Sequence, residues 1–239
     1  MRLIPRCLKC VSVRRLCDFN WNPDLDHDDF SDDVSDAISN EIRIKNASLN
    51  FVEEFGWNSQ SLVAGAQSLG LSPMAHSLCG NSANGQLILH FLQHLNDDVL
   101  QFMHNEKQKS VAGAELVKST IRYTLLQLES RKSRWPEANL ILLNPFALPN
   151  AAISFASLLN DIMSTAAPWS PFGSSVLDRL WLAQVIKSTE MCFVTDKSPE
   201  YSQSWQFLNR QFEVVACIES SCQFSFAITT TIGNLLRVV

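Results

Sequence analysis

The chain has 239 residues, of which 24 are acidic and 19 basic, so its formal net charge is −5 at neutral pH. A hydrophobic content of 46% predicts a folded core, and seven cysteines without regular spacing argue against a disulfide-stapled secreted domain. An acidic chain of this kind does not bind nucleic acid through bulk charge, so that class of function is disfavoured at the outset.

The first 17 residues contain five basic residues and no acidic residue. This composition is typical of a mitochondrial presequence, whereas a secretory signal needs an apolar run that Lys9 and Arg14 interrupt here. We therefore predict a presequence over residues 1–17, with a basic tail that has no targeting role as the alternative. Without these residues, 14 basic residues remain against 24 acidic ones.

Residues 18–36 reverse the charge, with eight aspartates and no lysine or arginine. Low hydrophobicity together with high net charge is the signature of disorder, so we predict an acidic disordered linker in this segment. A calcium-binding loop would need a central glycine and a closing glutamate at fixed spacing, and the segment has neither at the required position.

Residues 37–106 are predicted to form a helical region that contains the pattern of a helix-turn-helix. Ser59 and Ser72 are placed as N-caps of two short helices, and Gly70 and Gly80 are placed to end them. Such a motif reads DNA only with lysine or arginine nearby to hold phosphates. Since residues 46–106 contain neither, we predict that this pair of helices does not bind DNA.

Apolar periodicity predicts longer helices along the rest of the chain. The clearest covers residues 85–106, where Phe91, Leu95, Val99 and Met103 recur at a spacing of four. Trp135-Pro136 is expected to break the chain. No pair of strands is evident, so the predicted fold class is all-α. The other predicted helices cover residues 38–55, 111–131, 139–148, 150–163, 176–194 and 198–217, with a loop at 166–175.

The sequence shows no recognisable catalytic apparatus. His90 and His94 lie one helical turn apart, but the residues between them do not supply the glutamate of a metalloprotease H-E-x-x-H motif. No nucleophile elbow, Walker loop or dinucleotide-binding glycine motif occurs. We therefore expect no catalytic residue, no metal and no cofactor, and a protein that is not an enzyme.

Arg179 is the candidate binding residue. It stands near the start of a strongly apolar predicted helix that continues with Trp181 and Leu182. A lone arginine beside an apolar wall can hold an anionic headgroup while lipid tails occupy the pocket, which makes these three residues the predicted lipid-binding set. The alternative is an ordinary salt bridge from Arg179 to Asp178, Glu190 or another acid.

The C-terminal residues 219–239 are predicted to form an amphipathic helix. Its apolar stripe would contact a membrane surface, or else pack on the core as most such stripes do. The longest uncharged run in this segment has 17 residues and includes polar side chains, which is too short and too polar to span a bilayer. The predicted membrane-contact residues are Phe224, Ile228, Ile232 and Leu235.

Several segments together resemble a known family. Residues 65–72 read GAQSLGLS, residues 87–91 read LILHF, and residues 198–201 read SPEY and lead to WQFL at 205–208. With Trp135-Pro136 and Thr189-Glu190, these segments are similar to the mitochondrial lipid-binding proteins of ubiquinone biosynthesis, the ninth of the Coq proteins. The resemblance runs from about residue 38 to residue 236.

That resemblance carries expectations beyond those from the residues themselves. It implies the fold of tetracycline-repressor-type (TetR) regulators, with a helix-turn-helix N-terminal part and a lipid-binding C-terminal domain at residues 107–218. It also implies a homodimer that is not an enzyme and binds isoprenoid lipid or phospholipid. Such a protein presents ubiquinone precursors to the demethoxyubiquinone hydroxylase, among other proteins of the pathway. It is peripheral to the matrix face of the mitochondrial inner membrane.

The resemblance does not extend to every part of the chain. The family has a Gly-Asp and an Asn-Trp-Tyr-Thr stretch before the arginine that matches Arg179, whereas residues 167–177 here read APWSPFGSSVL. The Trp and Tyr of the partner-facing end are therefore missing. From the residues alone, two other functions stay open: a TetR-type regulator that binds DNA in response to a ligand, and a structural scaffold with a filled core.

Overall fold

The computed structural model describes the backbone of residues 27–80, 85–111 and 113–217, and its regular elements are all helical. This confirms the predicted all-α class for the described part of the chain. The α-helices are α1 (His27–Ser48), α2 (Val52–Phe55), α3 (Ser59–Ser68), α4 (Gln86–Gln108), α5 (Gly113–Leu126), α6 (Trp135–Leu142), α7 (Leu148–Ala166), α8 (Ser175–Thr195) and α9 (residues 202–217). Short 3-10 turns lie at Leu49–Phe51, Pro73–Cys79, Glu129–Arg134 and Pro199–Tyr201.

The chain divides into two compact units, Met1–Ser39 and the remainder from Asn40 onward. The predicted boundary between residues 106 and 107 stays a prediction. One expectation needs correction, because the backbone is helical from His27, inside the segment predicted to be a disordered linker at 18–36. Negative charge early in a helix is favoured by the helix macrodipole, so a run of aspartates does not by itself exclude a helix start.

The core lies among the long helices of the second unit. On α4, the predicted stripe is buried, with Val99 and Met103 fully inaccessible to solvent. It packs against α5, which buries Val117, Ile121 and Leu125 at helical spacing, and against α7, which in turn packs on α8. The bounds of α4 and α8 agree with the predicted ones to within two residues, whereas α5 ends at Leu126, five residues before its predicted end at 131.

Of the two predicted short helices, the first forms as α3, and the second is replaced by a 3-10 turn. Asn58 caps α3 instead of Ser59, and its Oδ1 accepts hydrogen bonds from the backbone N–H groups of Gln60 (2.9 Å) and Ser61 (3.4 Å). Ser72 caps the second element as predicted, but that element is a seven-residue 3-10 turn and not an α-helix. The recognition helix of a DNA-binding motif is therefore absent from residues 73–79.

Gly65 lies where α3 meets the end of α1. A Cβ atom at this position would lie 2.1 Å from Ser48 Oγ and 2.7 Å from the Ser48 backbone nitrogen, so no side chain fits. Nearby, Arg134 donates to the backbone oxygens of Glu53 (3.3 Å) and Glu54 (3.0 Å) at the end of α2. The short helices are thus fixed by backbone contacts and by caps.

The expected break at Trp135-Pro136 is wrong, because these residues begin α6. Proline is tolerated in the first helical turn, where its missing N–H has no intrahelical partner to lose. Trp135 is 2% exposed and packs edge-on against Trp57 and Phe91, with ring centroids 6.1 and 6.0 Å away. The predicted loop at 166–175 is confirmed between α7 and α8.

Candidate functional site

An apolar cavity of about 420 Å³ lies between α4, α5, α6, α7 and α8. This volume is within the range of about 300–1,000 Å³ that is usual for small-molecule sites. The lining consists of Leu92, Leu95, Asn96, Thr124, Leu125, Leu128, Trp135, Asn139, Leu142, Leu143, Leu148, Ala151, Ala152, Ser154, Phe155, Leu158, Ile186, Lys187, Glu190 and Met191.

One face of α7 supplies the largest share of the lining and explains why space remains there. Leu148, Ala151, Phe155 and Leu158 recur at spacings of three and four, so they lie on one side of the helix. Ala151 and its neighbour Ala152 have side chains too short to reach the opposite wall. A face that alternates large and small apolar residues leaves a space that a flexible hydrocarbon chain can fill.

Glu190 of α8 forms the polar part of this apolar cavity. The residue is 6% exposed, and its Oε1 accepts hydrogen bonds from Trp135 Nε1 (2.8 Å) and Asn139 Nδ2 (3.1 Å). Its Oε2 accepts one from Lys187 Nζ at 2.9 Å. A buried carboxylate is tolerated only when it is hydrogen-bonded in this way, so α6 and α8 hold it in a fixed place.

The Lys187 side chain extends from Glu190 to the protein surface. Its side chain is 50% exposed, and its Nζ lies 5.3 Å from the centre of the Phe155 ring. The charged residues of the lining are Lys187 and Glu190, so the formal charges of the cavity cancel. The site therefore combines a mainly apolar lining with this ion pair and with a second polar contact, in which Asn96 Nδ2 donates to Ser154 Oγ at 3.1 Å.

Arg179 lies outside this cavity, on the side of α8 that faces α7. Its Nε donates to Asn160 Oδ1 at 2.6 Å and its guanidinium donates to the Ser175 backbone oxygen at 3.0 Å. The alternative of a salt bridge to Asp178 or Glu190 is wrong, because Asp178 is 1% exposed and bonds to Ser170 Oγ and the Phe172 N–H instead. Among the described residues, the hydrogen-bond partners of Arg179 are the neutral groups of Asn160 and Ser175.

Trp181 and Leu182 are likewise absent from the residues that line the apolar cavity. Trp181 packs edge-on against Phe212 (ring centroids 5.0 Å apart) and against Trp169 (5.8 Å), in an aromatic cluster that joins the 167–174 loop to α9. Leu182 is fully buried in the core. Lipid contact at Arg179, Trp181 and Leu182 stays a prediction.

A second, polar groove of about 740 Å³ lies beside α4 and α7. Its lining includes His90, whose Nε2 lies 2.7 Å from Asn46 Oδ1 and whose ring centre is 4.5 Å from that of His94. Burial, and then the nearby His94 and Lys45, lower the pKa of His90 to about 4. Within the described residues, no group of three potential ligands is placed to hold a metal ion.

The predicted presequence at residues 1–17 and the membrane-contact residues Phe224, Ile228, Ile232 and Leu235 lie outside the described residues. Among the helices that are described, none is long and apolar enough to cross a membrane.

The Glu190 network is the part of the cavity that the sequence analysis did not predict. Trp135 and Glu190 are separated by 55 positions, and nothing in local periodicity indicates that they touch. Both did appear among the segments that resemble a known family, as Trp135-Pro136 and Thr189-Glu190. The family resemblance therefore marked both residues, but it did not indicate that they contact each other.

Comparison with known proteins identifies a family model and several relatives. The model, described as COQ9, matches residues 177–219, which include most of α8 and all the described residues of α9. The human "Ubiquinone biosynthesis protein COQ9, mitochondrial" is 30% identical over 176 residues, which are 71% of this chain and 55% of the human protein. The chain thus spans about half the length of that relative.

Two further relatives come from other organisms. The Drosophila melanogaster protein of the same name is 27% identical over 188 residues, which cover 76% of this chain and 57% of that protein. A Dictyostelium discoideum protein named "Probable ubiquinone biosynthesis protein coq9, mitochondrial" is 24% identical over 211 residues, which cover 83% and 67% of the two chains.

Proposed function

We propose, on the premise that this chain belongs to the COQ9 family of ubiquinone-biosynthesis proteins, that it is a lipid-binding accessory protein of that pathway. In this role it binds an isoprenoid quinone precursor and presents it to the demethoxyubiquinone hydroxylase. The apolar cavity between α4 and α8 is the observation that carries the proposal, because a prenylated ring is the pathway component that needs a shield from water.

The cavity suits the ring and the first part of a prenyl tail. Burial of apolar surface is worth about 25 cal/mol per Å², and fourteen of the twenty residues that line the cavity are apolar. A volume of about 420 Å³ is small for a whole long-chain lipid, so the remaining tail continues outside the cavity. A protein that binds one end of a lipid in this way leaves the other end at a membrane surface.

We place the protein in mitochondria, peripheral to the matrix face of the inner membrane, as a homodimer. Relatives named as mitochondrial support the compartment. Exposed apolar residues beside Arg179, namely Val176 (63% exposed), Leu177 and Leu180, support a contact surface at the start of α8. In this proposal Arg179 holds a phospholipid headgroup, and the stripe from Phe224 to Leu235 enters the bilayer surface.

The proposed role is binding and presentation, not catalysis. The lining of the cavity contains no histidine, cysteine or aspartate, and its glutamate and lysine, Glu190 and Lys187, are paired with each other at 2.9 Å. The hydrogen bonds between residues of the lining are those of Glu190 with Trp135, Asn139 and Lys187, and that of Asn96 with Ser154. The arrangement positions a ligand and offers no activated nucleophile to it.

The test is to identify the lipid that copurifies with the protein. Extraction and mass analysis of protein purified without detergent should yield a prenylated aromatic ring. Ala152→Trp, which places a large side chain at the cavity, should lose that lipid. Ala156→Trp is the matched control, because Ala156 is exposed one turn further along α7 and is not part of the lining. Equal lipid content in both variants would contradict the proposal.

A further inference from the structure

Two residues line both the apolar cavity and the polar groove. Asn96 of α4 and Ser154 of α7 belong to the lining of each. Asn96 Nδ2 donates to Ser154 Oγ at 3.1 Å and to the Ser154 backbone oxygen at 3.2 Å, so the pair joins α4 to α7. The Asn96–Ser154 wall therefore has an apolar space on one side and a polar space on the other.

This wall offers a hydrogen-bond donor to a ligand. Because Ser154 Oγ accepts from the Asn96 amide, the hydroxyl proton of Ser154 points away from Asn96. Among the residues that the structure describes, that proton has no acceptor. A serine hydroxyl rotates about its Cβ–Oγ bond, so the donor can turn toward a ligand that occupies the cavity.

The charges of the polar groove decide what kind of head group can lie at the wall. Asp97 and Asp161 line the groove, whereas its lysine, Lys45, is buried and already paired to Glu41. His90 is neutral at pH 7, because its pKa is about 4. A phosphate would therefore meet two carboxylates without a cation to balance it. An uncharged head with oxygen acceptors avoids that repulsion.

The other polar groups of the cavity suit such a head less well. The Glu190 carboxylate is negatively charged and only accepts hydrogen bonds, so it repels carbonyl and methoxy oxygens. Asn139 and Lys187 both donate to Glu190. Thr124 gives its hydroxyl proton to a backbone oxygen of its own helix at 2.8 Å. The oxygens of a quinone ring are thus favoured beside Ser154.

We infer that the Ser154 hydroxyl donates a hydrogen bond to a carbonyl or methoxy oxygen of the bound ring, so that the ring lies at the Asn96–Ser154 wall with its oxygens toward the polar groove. This inference rests on the proposed lipid-binding function and names the residue that recognises the ring. Asn96 is a positioning residue, since it holds Ser154 Oγ in place. The prenyl tail lies along the apolar part of the lining.

The inference is tested with two probes that share a tail, 2-farnesyl-1,4-benzoquinone and farnesylbenzene, whose ring has no oxygen. Affinities are measured by isothermal titration calorimetry on the full chain. Ser154→Ala should weaken quinone binding about three- to tenfold, as expected for one lost hydrogen bond, and should leave farnesylbenzene binding unchanged. Ser164→Ala, at an exposed position of α7 outside both linings, should change neither affinity.

Infrared spectroscopy separates a direct contact from a change in packing. A hydrogen bond weakens the C=O bond of a quinone, so it lowers the frequency of the carbonyl stretch. Difference spectra of the quinone, with and without ¹³C at its carbonyls, isolate that stretch in the complex. Its frequency should be lower in the native protein than in Ser154→Ala, and equal in the native protein and Ser164→Ala.

The outcomes separate this inference from the function on which it rests. Suppose that Ser154→Ala weakens both probes equally or neither, or leaves the carbonyl stretch unchanged, while Ala152→Trp abolishes binding of both probes. The Ser154 assignment is then wrong and the lipid site stands. If neither probe binds the native protein, or if Ala152→Trp leaves binding intact, the proposed site itself is wrong and the inference falls with it.

Discussion

Removal of the Glu190 carboxylate should destabilise the fold through the donors it leaves behind. In Glu190→Ala, the indole N–H of Trp135 loses its acceptor in a place where the residue is only 2% exposed. An unpaired buried donor costs about 1–3 kcal/mol, and the lost methylene adds about 0.8 kcal/mol, so we expect a loss of about 2–4 kcal/mol. Asn139 is half-buried, and its amide can hydrogen-bond to water instead, so it contributes little to the loss of stability.

Glu190→Gln should cost much less, because an oxygen remains for Trp135 and Asn139. The decisive measurement is a double-mutant cycle with Trp135→Phe, which removes the orphaned donor itself. Urea unfolding followed by circular dichroism should give a coupling free energy of about 1–2 kcal/mol between Trp135 and Glu190. If the losses of stability in the two single variants add up to the loss in the double variant within about 0.5 kcal/mol, the network is not a source of stability.

Three further predictions concern the rest of the chain. Arg179→Ala should reduce copurified anionic or zwitterionic phospholipid without reducing prenylated lipid, and unchanged phospholipid on mass analysis would assign Arg179 to its Asn160 contact alone. The pKa of His90 is about 4 in the folded protein, against an ordinary value of 6.5. Between pH 6.5 and pH 4 the unfolded chain therefore binds more protons than the folded one. The free energy of unfolding should fall as the pH drops through this range. His90→Gln should flatten this loss, about 1–2 kcal/mol after solvent screening, in urea unfolding at several pH values; an unchanged slope would exclude His90 as the cause. Changing Ile228 and Ile232 to Asp should abolish liposome flotation with an unaltered melt, whereas unfolding would show that the stripe packs on the core.

The sequence predicted the fold best where burial is periodic. The apolar stripe of α4 specified its extent to within two residues, since a helix of this length is stabilised by its buried face. Short elements were less predictable, because capping and turn type depend on single residues. Asn58 and Ser59 are both good caps, and only the observed backbone shows that Asn58 takes the position.

The site was predictable only in class. A lone arginine beside an apolar helix, together with the family resemblance, predicted a lipid site at Arg179, Trp181 and Leu182, and that site stays a prediction. The apolar cavity joins five helices, and Glu190 within it links α8 to α6. Such long-range contacts are set by helix packing, which local patterns do not specify.

The central claim is that the protein presents a ubiquinone precursor to the hydroxylase. The most direct measurement is turnover of purified demethoxyubiquinone hydroxylase on vesicles that contain demethoxyubiquinone, with this protein added in increasing amounts. The account predicts that turnover rises with the native protein and with Ala156→Trp, but not with Ala152→Trp. Turnover that is unchanged by the native protein, or that rises equally with Ala152→Trp, would contradict it.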